Sequence, residues 1–84
     1  MDQQTLEQIA AAVQAAGFSA AGQAQVKAAF APLRLTYCLL EELGAKQPVW
    51  ECDDFGLFLV GSSDHCLGLT RDLAEATAVV VAEA

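Results

Sequence analysis

The sequence predicts a small α+β domain, and three observations carry that reading. Apolar residues recur at helical spacing through the first third, the period switches to alternation near Pro32, and helices come first with strands after them. At 84 residues the chain is read as one domain, 1–84, with no internal repeat, linker or low-complexity tract. The expected architecture is two N-terminal helices on one face of a mostly antiparallel sheet, with a short helix before the last strand, in the order α-α-β-β-β-β-α-β.

Leu6, Ile9, Ala10, Val13 and Ala16 share one helical face, and Gly17 stands where a helix normally stops, so a helix is predicted over about 3–16. "TLEQ" offers a capping box from Thr5 to Gln8, and Asp2 is the competing N-cap. After the small-residue segment "SAAGQ", the stripe Val26, Ala29, Phe30 and Leu33 predicts a shorter helix ended by Pro32.

In "LRLTYCLL", Leu33, Leu35, Tyr37 and Leu39 alternate with Arg34, Thr36, Cys38 and Leu40, the pattern of a strand with one face on the core. "EELGAKQ" is a polar connection, "PVWEC" a short strand with proline at its start, "DD" a turn and "FGLFLVG" the next strand. "SSD" is expected to turn the chain into the strand "HCLGL". Thr70 then caps a short helix "RDLAEAT", and "AVVVAEA" supplies a β-branched last strand. The expected core comprises Leu6, Ile9, Val13, Phe30, Leu35, Tyr37, Leu57, Leu59, Leu67, Leu69, Val79 and Val81.

The net charge of −7 is carried entirely by the second half: nine acids face Lys46 and Arg71 after residue 40, whereas Asp2 and Glu7 balance Lys27 and Arg34 before it. Such a chain repels phosphate backbones and anionic lipid and has no basic stripe interleaved with aromatics, so neither nucleic acid nor a membrane is an expected partner. Basic protein patches or cations suit the charge better. The N-terminus lacks the basic and apolar regions of a secretory signal, and "FGLFLVG" is too short to span a bilayer, which predicts a soluble cytoplasmic protein.

Cys38, Cys52 and Cys66 are odd in number and fourteen residues apart, which in a reducing compartment argues for free thiols. With His65 they form a chemically plausible thiolate and imidazole set for zinc or iron, but the spacing lacks the close pairs of structural zinc sites. Adjacent His65 and Cys66 should also leave a strand on opposite faces. Ser62, Ser63, Asp64, His65 and Cys66 are residue types found in nucleophilic triads, yet a contiguous turn does not bring nucleophile, base and orienting acid into line. No catalytic residue, cofactor or metal is therefore assigned, and His65 is expected at the margin of the core face beside Leu67 and Leu69.

The acids Glu41, Glu42, Glu51, Asp53 and Asp54 lack the calcium-loop pattern and read as a solvated face, and Gly56, Gly61 and Gly68 do not make a phosphate-binding loop. Trp50, on a short edge strand, is a core residue or an anchor for a partner, and the small domain with its terminal strand suits a homodimer formed by edge or face pairing.

At "LRLTYC", "PVWE", "LFLVGSSDHCLGLT" and "DLAEATAVVVAEA" the chain resembles small uncharacterised proteobacterial proteins encoded in nitrogen-fixation gene clusters. The resemblance covers roughly residues 26 to 84, with Phe58 and Gly61 standing where a more polar strand would be expected. It implies a cytoplasmic accessory protein working beside nitrogenase or the assembly of its metal clusters. The expected function is thus a non-catalytic accessory or interaction protein with a protein partner. A thiol- and histidine-based metal- or cluster-binding protein is the alternative.

Overall fold

The first helix, α1 (Gln3–Ala16), begins where Asp2 rather than Thr5 takes the cap: the Asp2 carboxylate accepts the Thr5 N–H at 2.8 Å. Thr5 therefore lies inside the first turn, and a carboxylate at this end also suits the helix dipole. Gly17, at φ 76°, ends the helix and returns its N–H to the Val13 carbonyl at 2.9 Å. The computed structural model describes the backbone of residues 1–44, 46–63 and 66–84, and the side-chain surroundings of all of these except 62, 63, 66 and 67.

The second helix, α2 (Ala20–Phe30), starts earlier than its apolar stripe suggests, because Ser19 caps it by accepting the Gly22 N–H at 3.1 Å. "AAGQ" is thus the first turn of the helix and not a lead-in. Gly22 is buried, and a Cβ there would overlap the Ala16 carbonyl oxygen. Its missing side chain is what lets α2 start against the end of α1.

The sheet has five strands: β1 (Arg34–Leu39), β2 (Trp50–Glu51), β3 (Phe55–Ser63), β4 (Cys66–Thr70) and β5 (Ala76–Glu83). β5 lies between β1, to which it is parallel, and β3, to which it is antiparallel. β2 and β4 both pair antiparallel with β3, β2 at Gly56 and Leu57 and β4 from Leu59 onward, so they share one sheet edge end to end. The architecture is the expected α+β class with a mostly antiparallel sheet.

Registers align residues into rows across the strands. Leu35, Val79 and Leu59 form one row and Tyr37, Val81 and Leu57 the next, all facing the helices. There they pack with Leu6, Ile9, Ala10, Val13, Val26 and Phe55 in one cluster. Each fully buried Leu, Ile, Val or Phe in such a core contributes roughly 1.5–3 kcal/mol relative to exposure. Phe30 and Tyr37 are half-buried against it.

Several expectations need correction. The short helix before the last strand shrinks to a single turn of 3-10 type, in which Glu75 N–H donates to Asp72 C=O at 3.1 Å and Ala76 N–H to Leu73 C=O at 3.3 Å. The side chains of Thr70 and Asp72 accept the N–H groups of Asp72 and Ala74, and these local bonds compete with helix propagation in a segment too short to repay nucleation. Ser62 and Ser63 extend β3 instead of turning it. Leu40 belongs to a 3-10 helix, Leu40–Leu43, and not to β1. Leu69, expected in the core, is 38% exposed, because it pairs with Val60 and so points away from the helices. The side chain of Leu67, the whole of His65, and Asp64 of the expected "SSD" turn lie outside what the structure describes.

Candidate functional site

The sheet's second face carries the other half of each strand's alternation. Arg34, Ala78, Val60 and Leu69 make one row there, and Thr36, Val80 and Phe58 the next. The third row, Cys38, Ala82, Gly56 and Glu51, lies beneath the connection from β1 to β2. That connection must pass from one sheet edge to the other, and Pro48 Cβ comes within 3.2 Å of where a Gly56 Cβ would stand. A glycine at position 56 is what admits the strap.

Arg71 holds the strap from the opposite side. Its Nη1 donates to the carbonyls of Gln47 at 3.1 Å and Pro48 at 3.2 Å, bridging the point beside Phe58 where β4 has ended and β2 has not yet begun. At that point Phe58 is only 2% exposed although it lies outside the helix-side cluster. Lys46, Gln47, Leu69, Thr70 and Arg71 line a groove of about 260 Å³ with it. Beyond the groove, Val60, Val80 and Ala78 are half-buried, and Leu69 is one of the large apolar side chains left exposed. The result is an apolar strip on a sheet face that the helices do not cover, with Arg34 at one end and Lys46 and Arg71 at the other.

The position of these cations differs from what the net charge suggests. Three of the four basic residues stand at this face, and among the described residues no carboxylate lines the groove. Glu51 stands one row away on the same face, opposite Gly56, and other acids lie elsewhere: Asp53, Asp54 and Glu83 border a notch of about 370 Å³ with Phe18 and Phe55, at the end of α1. Glu42 and Glu83 lie near Cys38 and Tyr37. The acidic set read from the sequence is therefore dispersed, with Glu42 near Cys38, Asp53 and Asp54 at the notch and Glu51 on the outer face.

The structure also separates the thiols. Cys38 is in β1, at one edge of the sheet and on the row beneath the strap, whereas Cys52 follows β2 at the other edge and packs against the helix-side core. Three strand spacings of about 4.8 Å lie between those edges, too far for a shared ion. Both described thiols are free and half-buried. Burial and, next, the nearby Glu42 carboxylate push the Cys38 thiol above its usual range, which disfavours the thiolate needed for attack or metal ligation. Cys66 belongs to β4, opposite Ser63, and His65 lies outside the described residues. Among the described residues no three His, Cys, Asp or Glu side chains converge to hold a metal ion.

Trp50, a core residue or partner anchor on the sequence reading, is half-buried and packs at 5.4 Å between ring centroids on Phe55, so it belongs to the core margin. The residue missed by sequence reasoning is Phe58. A signal for it exists in "LFL", where three consecutive large apolar residues exceed what a strand covered on one face requires.

Fold and surface together define a small α+β protein whose sheet is backed by helices on one face and only partly strapped on the other. The chain belongs to the family of unknown function DUF6129, whose model matches residues 7–84. No curated protein and no solved structure matches it. None of the helices among the described residues is long and apolar enough to cross a membrane.

Proposed function

We propose that the chain is a non-catalytic accessory protein that docks a protein partner on the outer sheet face. The observation that carries this reading is the exposed Leu69 beside the half-buried Val60 and Val80 and the buried Phe58, on the face that α1 and α2 do not cover. Apolar residues at the centre with charges at the rim are the usual anatomy of a protein interface. A cytoplasmic setting and a place beside nitrogenase or its cluster assembly rest on the sequence resemblance. The separation of Cys38 from Cys52 favours docking over the thiol- and histidine-based alternative.

The test is affinity capture from cells growing on dinitrogen, with the wild-type chain and Leu69→Glu side by side. The reading expects defined partners retained by the wild type and lost by the variant, at equal thermal stability. Identical capture by both chains would remove the outer face from consideration. Stoichiometric zinc or iron in anaerobically purified, untagged protein would promote the metal-binding alternative.

A further inference from the structure

We infer that the groove between the strap and β4 takes an acidic, apolar peptide segment of the partner, in which a carboxylate adjoins an aliphatic side chain. The inference rests on the docking role proposed above and specifies what that face selects. Leu69 supplies the exposed apolar wall over the buried Phe58, and the Lys46 ammonium and the Arg71 guanidinium stand beside them, with no carboxylate in the lining among the described residues.

Arg71 spends only Nη1 on the Gln47 and Pro48 carbonyls. Its Nε and Nη2 donors have no protein acceptor among the described residues, so part of the guanidinium fork is available to a carboxylate, which it matches in plane and spacing. Lys46 is exposed and adds a second positive charge without the geometric demand. The surrounding molecule has a net charge of −7, so an anion is repelled in general and accepted where these two cations outweigh that field. An aliphatic side chain next to the carboxylate packs on the exposed Leu69 and the half-buried Val60 beside it, which a free inorganic anion cannot use. The groove therefore discriminates by requiring both features at once. A basic peptide meets two cations here, although the overall charge would attract it.

The experiment uses the isotopically labelled full chain and two acetylated, amidated tetrapeptides, Glu-Leu-Asp-Leu and Lys-Leu-Lys-Leu, followed through backbone amide shifts. The acidic peptide is expected to give saturable shifts at millimolar concentration, centred on Phe58, Leu69, Thr70 and Arg71, that weaken with added salt. Lys46→Glu, an exposed change that leaves the core intact, should reduce the affinity about tenfold. Leu69→Ser should reduce it without altering the salt dependence. No saturable shift, equal binding of the basic peptide, or shifts centred on Asp53 and Asp54 would overturn the inference. If the peptides fail while Leu69→Glu still abolishes capture from cells, only the acidic and apolar selectivity falls. If capture is also unchanged, the docking role falls with it.

Discussion

Arg71 and Gln47, twenty-four residues apart, are joined by a 3.1 Å hydrogen bond that closes the sheet where β2 and β4 leave β3 without a neighbour. The same guanidinium nitrogen reaches the Pro48 carbonyl, so one side chain fastens the last part of the β1–β2 strap to the outer face. Arg71→Ala should lower stability by about 1 kcal/mol, the modest net value of solvent-accessible hydrogen bonds. The more specific outcome is local: the Val49 N–H, bonded to Leu57 C=O at 2.9 Å, should exchange with deuterium earlier than the amides of β5. Unchanged Val49 protection would show that the strap is held without Arg71.

Leu59 and Leu69 are both leucines of paired strands, but one is fully buried and the other 38% exposed. Leu59→Ala should cost ~2–5 kcal/mol by leaving a cavity under the helices. Leu69→Ala should stay within about 0.5 kcal/mol, as surface changes usually do. Chemical denaturation of the two variants checks the contrast, and equal losses would place Leu69 in the core after all.

Glycines at 22 and 68 give a second contrast. A methyl group at Gly22 meets the Ala16 carbonyl, a backbone group that cannot swing away, whereas one at Gly68 meets nothing within 4 Å. Gly22→Ala should therefore destabilise by about 1–3 kcal/mol despite alanine's better helix propensity, because α2 must shift from α1. Gly68→Ala should be neutral or slightly stabilising.

Most of the helical third is legible because its signals are local. The Leu6, Ile9, Val13 stripe and the stop at Gly17 depend on residues within a turn of one another. The early start of α2 is not legible in the same way, since it depends on how closely Gly22 approaches Ala16. Likewise, the alternation in "HCLGL" identifies a strand but not which of its faces meets the helices. Its apolar side chain and shared face with Leu67 suggest a core position for Leu69, and its pairing with Val60 places it outside. For 71–77, helix propensity and the cap at Thr70 pointed to a helix. The side chains that can cap a helix instead satisfied a turn, which only the tertiary path from β4 to β5 decides. The outer groove had no sequence signature at all, because it joins Phe58, Lys46 and Arg71 from three segments.

Tyr37 supplies a pH-dependent outcome. Burial raises its phenol above the ordinary value, and its hydroxyl is enclosed with no hydrogen-bond partner among the described residues. Raised folded-state pKa means that the unfolded chain loses this proton first. Tyr37 therefore leaves stability unchanged below the usual tyrosine value of about 10, reduces it as pH rises through that value, and stops doing so above the folded value. Tyr37→Phe, which keeps the edge contact with Phe18 at 6.3 Å, should be neutral or stabilising at neutral pH and should flatten the alkaline decline in urea midpoints. A steeper decline in the variant would contradict the burial of the phenol.

The outer sheet face as the working surface is tested most directly in cells that lack the gene, under a growth condition where its loss is felt. Leu69→Glu is expressed there at the wild-type level, with its thermal midpoint measured in parallel. The expected result is the phenotype of the deletion from a protein as stable as the wild type. Full complementation by that variant would contradict a docking role for this face.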